Sequence, residues 1–192
     1  MTTTHDFQDG KGPVPAHKHP SGGGWVADTA HAAPSAYVGP NARVYGNALV
    51  YGYARVFGKA KVYGKANVFH NARVFGNAQV YGDAEVYDNA QVFGNAKVCG
   101  NAMVCGNAKV FGYARVYGKA EVYGKAKMSG NTILPGHHHL LNKNDKYLCN
   151  TNRGVGPWIF VDEYYQNEYS NLTYCPACIS KLTVYDVLDH VI

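Results

Sequence analysis

Cysteine and histidine are the residues best able to hold a metal here, and they gather toward the end of the chain. Cys175 and Cys178 form a Cys-x-x-Cys pair in "YCPAC", Cys149 lies upstream, and His137, His138 and His139 precede all three. Three thiolates and one imidazole make a tetrahedral Cys₃His set for zinc. The expected ligands are Cys149, Cys175, Cys178 and His139, with His138 or His137 as alternatives for the last. Four protein ligands leave no open position, so the zinc would be structural, stapling a segment too small for its own core. A redox pair and unligated buried thiols are the alternatives.

Two other placements could do chemistry. His70 and Asp88 stand 18 residues apart where the surrounding pattern has glycine. Stacked on one corner, a carboxylate could orient the imidazole for base catalysis or ligand binding; alternatively, both types simply tolerate a tight turn. His17 and His19 form a His-x-His pair that could bind metal or serve structure.

What must position these groups is a repeat. Valines from Val44 to Val122 fall six apart; Met128 and Leu134 continue the phase, and Val38, Ala32 and Val26 extend it backward, giving 19 hexads without an insertion. Four residues after each start stands almost always alanine. In "ARVY", strand alternation sends Ala42 and Val44 to one side and Arg43 and Tyr45 to the other. "GN" then turns the chain sharply. One six-residue strand cannot bury a face alone, but three strands coiled into an 18-residue triangular turn stack valine on valine and alanine on alanine.

Outward residues 18 apart share character, as that coil requires. One column is Phe57, Phe75, Phe93 and Phe111; a second is Tyr45, Tyr63, Tyr81, Cys99 and Tyr117; a third is Tyr51, Phe69, Tyr87, Cys105 and Tyr123. Beside the phenylalanines run Arg55, Arg73, Gln91, Lys109 and Lys127. Basic-aromatic ladders of this kind can bind planar anions, pair aromatics for stability, or form an interface along the apolar strip. The candidate surface is Arg55, Phe57, Arg73, Phe75, Phe93, Lys109 and Phe111. Cys99 and Cys105 fall on different faces, where no disulfide is expected.

An aliphatic residue followed four positions later by a small one resembles the hexapeptide repeat of left-handed parallel β-helix proteins, and "YCPAC" resembles a zinc knuckle. "GGGWVADTAHAAPSAYVGPNARVYG" is similar to hexapeptide proteins of bacteria and their phages, labelled transferases or polymer-forming proteins by fold alone. The resemblance implies left-handed coiling, an exception to the usual crossover rule. The acyltransferases of that family carry a catalytic histidine on a loop that breaks the coil, and Val26 to Gly136 contains no such loop.

The expected fold is all-β: a left-handed parallel β-helix of about six coils over residues 26–136, an N-terminal cap over 1–25, and a small α+β module over 137–192. Trp25 is expected to plug the first coil, and "KYLCNTNRGVGPWIFVDEYY" reads as two short strands. The net charge is +5, but residues 41–136 hold 12 Lys/Arg against 4 Asp/Glu, a net of +8. Five irregularly spaced cysteines do not suggest a disulfide framework, and neither an apolar leader nor a membrane-length apolar run is evident, so a cytoplasmic location is expected.

Together these features predict a non-enzymatic solenoid scaffold that presents aromatic and basic faces. Its expected partner is a second copy or another protein, not a membrane. The alternatives are a nucleic-acid or nucleotide binder and a hexapeptide-type acyltransferase.

Overall fold

A computed structural model describes residues 3–134 and the strands His139–Leu141 and Trp158–Phe160, the latter two by backbone alone. It is an all-β, left-handed parallel β-helix of about six turns. Each hexad gives a two-residue strand, such as Arg43–Val44 or Leu49–Val50, then a corner. Strands 18 residues apart pair in parallel, so Val44 lies on Val62 and Val50 on Val68. The three sheets, here named the Tyr45, Tyr51 and Phe57 faces, hold nine, eight and six strands.

The core is the stack the sequence demanded. From Ala36 to Val122, every inward alanine and valine is fully buried. Burying one valine is worth about 2 kcal/mol, and the gain recurs at every hexad. Met128 and Leu134 take the inward position after Val122 and stay buried. Between coils the backbone is satisfied rung by rung: Tyr45 N–H donates to Val62 O at 3.0 Å, and Asn47 N–H to Gly64 O at 2.7 Å.

The corners need left-handed backbone. Gly64 has φ +73°, and a Cβ there would lie 2.9 Å from Gly82 N, so the neighbouring coil as well as φ disfavours a side chain at this corner.

The N-terminal segment is a hairpin. Strand β1 (Thr4–Asp6) pairs antiparallel with β2 (Pro13–Lys18), which pairs antiparallel with β3 (Trp25–Ala27) at the start of the Tyr45 face. Trp25 does not plug the coil. It lies in register with Arg43 in an outward position, stacked on His5 at 4.3 Å with Lys18 Nζ 4.2 Å from its ring. The alternation that buries Val26 must turn Trp25 outward.

His19 is the buried polar residue at this end. Its Nδ1 lies 3.0 Å from Ser21 O and 3.2 Å from Ser21 N, and its Nε2 lies 3.1 Å from Ala33 O. At the other end, His139–Leu141 and Trp158–Phe160 extend the Tyr51 face in parallel beyond residue 136, placing Leu140 on Val122 and Ile159 on Leu140.

Candidate functional site

The outward positions form ladders because each coil repeats the one before it. On the Phe57 face, Phe57, Phe75, Phe93 and Phe111 stack with ring centroids 4.8–4.9 Å apart and planes within 3° of parallel. Beside them, Arg55, Arg73, Gln91, Lys109 and Lys127 are paired in register. The guanidinium of Arg55 lies 5.7 Å from the Phe57 ring and 5.2 Å from that of Tyr37, within cation–π range. The seven residues read from the sequence as one surface thus occupy two adjacent columns of a single sheet. Within the ladder, the phenylalanine rings turn their faces to each other.

The Tyr45 and Tyr51 faces carry shorter ladders: Tyr45–Tyr63–Tyr81 and Tyr51–Phe69–Tyr87. Each then meets a free cysteine, Cys99 or Cys105, on its own face. The Tyr81 hydroxyl donates to Cys99, and this bond, with burial, pushes the Tyr81 pKa up to about 12. Burial raises the Cys105 thiol and, with a hydrogen bond to that thiol, Tyr87. A raised thiol is a poor nucleophile at neutral pH.

His70 and Asp88 come together on the corner between the Tyr51 and Phe57 faces. His70 Nδ1 lies 3.0 Å from Asp88 Oδ1, and Gly106 N–H donates to Asp88 Oδ2 at 3.2 Å. Both residues have φ +57°, against 65–73° for the corner glycines from Gly46 to Gly130. One corner therefore links three successive coils through side chains and holds two non-glycine residues in the left-handed region. His17 and His19 diverge: exposed His17 donates from Nδ1 to Asp28 Oδ1 at 2.8 Å, while both ring nitrogens of His19 serve the backbone.

Next to the His70–Asp88 corner is an open groove of about 450 Å³, lined by Asn71, Asn89 and Asn107 on one side and Arg73, Gln91 and Lys109 on the other. The asparagines were missed as candidates, although they too recur every 18 residues, each following the corner position at 70, 88 or 106.

Of the expected zinc ligands, Cys149, Cys175 and Cys178 lie outside the described residues, as do His137 and His138. His139 is placed by backbone alone, paired with Glu121 and Trp158. Among the described residues, no group of three or more His, Cys, Asp or Glu side chains could hold a metal.

These features define a β-solenoid with surface ladders. The YdcK β-solenoid repeat family model matches residues 42–58 and 78–94, and the repeat is similar to that family over these two segments, two coils apart. No curated protein and no solved structure matches the chain.

Proposed function

We propose that the protein is a non-enzymatic solenoid scaffold whose Phe57 face recognises a partner or a further copy of the chain. The observation that carries this reading is segregation by face. Arg55, Arg73, Lys109 and Lys127 share one sheet without a carboxylate in their column, directly beside the phenylalanine ladder, whereas Glu85 and Glu121 lie on the Tyr51 face. A rigid rod that sorts charge and aromatic area in this way is suited to a surface that docks in one orientation. The zinc-stapled tail, through Cys149, Cys175, Cys178 and His139, belongs to the same proposal and is supported by the Cys-x-x-Cys spacing.

Nucleic-acid binding is the second reading, supported by the basic coil region. It ranks second because base stacking needs accessible ring faces, and the Phe57 ladder gives its internal faces to neighbouring phenylalanines. The acyltransferase reading rests on fold likeness alone.

Native mass spectrometry of the purified chain tests the proposal. The expected result is an oligomer with one zinc per chain that falls to monomer when Arg55 and Lys127 are reversed to glutamate. A monomer that retains nucleic acid would put the second reading first, and retained acetyl-CoA would do the same for the transferase.

A further inference from the structure

The groove beside the His70–Asp88 corner is built from three rungs: Asn71 with Arg73, Asn89 with Gln91, and Asn107 with Lys109. Its backbone is committed to the fold. Asn71 N–H donates to Asp88 O at 2.8 Å, Asn89 N–H to Gly106 O at 2.9 Å, and Arg73 N–H to Ala90 O at 2.9 Å.

Its side chains are not so committed. Among the described residues, none of the six has a hydrogen-bond or ion-pair partner. Some equivalent polar residues elsewhere do pair: Asn77 Nδ2 donates to Asn95 Oδ1 at 3.1 Å, and the Tyr63 hydroxyl to Gln79 Oε1 at 3.3 Å. The lip of this groove is also where His70 and Asp88 hold left-handed backbone. Such conformations in non-glycine residues cost of order 1 kcal/mol each and concentrate at ligand sites.

We propose that this groove binds a linear acidic polysaccharide lying along the solenoid axis. Arg73 and Lys109 take successive carboxylates, and the amides of Asn71, Asn89, Gln91 and Asn107 take the hydroxyls between them. The proposal rests on the reading of the Phe57 face as a recognition surface and names the ligand of its edge.

Three features select this ligand class. A side-chain amide donates and accepts at once, as a sugar hydroxyl does. Rungs recur at the strand spacing, roughly 4.8 Å, so Arg73 and Lys109 stand roughly 10 Å apart with neutral Gln91 between them. Within these three rungs the pattern suits one acidic–neutral–acidic stretch of a polymer in which the two kinds of sugar alternate. A nucleic acid carries a phosphate on every residue and gains affinity by stacking its bases, and no aromatic ring lines the groove. Individually weak contacts along one rigid track add up because later rungs bind at high effective concentration.

The test is calorimetric titration of the full chain with a decasaccharide of alternating glucuronate and N-acetylglucosamine, alongside neutral dextran and a single-stranded thymidine oligonucleotide. The expected result is binding of the decasaccharide alone, weakened about tenfold or more by N89A/Q91A and by R73Q/K109Q. N77A, on the neighbouring corner, leaves it unchanged. Thermal melts confirm that these surface variants remain folded.

Absence of decasaccharide binding, equal binding by the groove variants, or preferential groove-dependent binding of the oligonucleotide overturns the assignment. Native mass spectrometry of the same samples separates the two readings. An oligomer disrupted by charge reversal but blind to polysaccharide leaves the scaffold standing and removes the groove ligand. A monomer that binds nothing removes both.

Discussion

Phe7 stacks on Tyr45 with ring centroids 4.9 Å apart, occupying the place in the aromatic column that Ala27 leaves empty. A residue from the N-terminal hairpin thereby becomes the first rung of the Tyr45–Tyr63–Tyr81 ladder, almost fully buried at 1% exposure. Arg43 Nη1 fixes the junction by donating to Phe7 O at 3.0 Å and to Gln8 Oε1 at 2.9 Å. The hairpin thus does two things at one end of the solenoid: it pairs with the edge of β3 and lays a ring over Tyr45.

Phe7→Ala should therefore detach the hairpin without melting the coils. Removal of a buried phenylalanine ring costs about 3 kcal/mol, and in a solenoid that loss is confined to nearest neighbours. Hydrogen exchange should show lost amide protection over residues 4–18, with protection retained from Val62 onward. Uniform loss along the chain would show instead that the hairpin and coils unfold as one unit.

The corners should respond unequally to substitution. Gly64→Ala forces a Cβ to within 2.9 Å of Gly82 N at φ +73° and should lower stability by about 2 kcal/mol or more. His70→Gly relieves left-handed strain while removing the bond to Asp88, two terms of about 1 kcal/mol and opposite sign. Its net change should be within about 1 kcal/mol. Denaturant melts of the two variants side by side check the contrast, and a large loss in His70→Gly would show that the His70–Asp88 link holds the corner together.

Alkaline pH should loosen the ladders. Burial is the main cause that raises Tyr45 to about 12, and the Cys99 hydrogen bond is the main cause that raises Tyr81 to about 12, from an ordinary value of 10.0. Between pH 10 and 12 the folded chain keeps protons that the unfolded chain has lost, so stability is full below pH 10 and falls as pH rises toward 12. Thermal melts across that range, with tyrosinate absorbance followed in parallel, should show melting temperature falling from about pH 10. A flat profile to pH 12 would mean that the tyrosines titrate freely in the folded state.

The architecture was legible because one short rule generates it. An inward valine and alanine in every hexad, with glycine at the turn, have few ways to be buried other than by stacking on their own copies. A column of phenylalanine alone from Phe57 to Phe111, beside two columns in which tyrosine predominates, marks the 18-residue coil in the sequence. The same arithmetic brought His70 and Asp88 to one corner and separated Cys99 from Cys105.

What depended on contacts beyond the repeat's own stacking was hidden. Nothing in "THDFQDGKGPVPAHK" announces that Phe7 will complete a ladder begun by Tyr45, because a contact between residues 38 positions apart depends on how the hairpin folds back. Trp25 resembled a plug by size, yet its place in the alternation beside Val26 turned it outward and left His19 as the buried polar group at that end. The asparagine–arginine groove was likewise invisible as a site, since Asn71, Asn89 and Asn107 read as ordinary turn residues until the corner set them beside Arg73, Gln91 and Lys109. Sequence by itself determined the coil, its period and the identity of its faces, because these follow from local alternation repeated in phase. Only the tertiary structure decided which surface groups remain without partners, because that depends on distances across coils and around corners that periodicity does not encode.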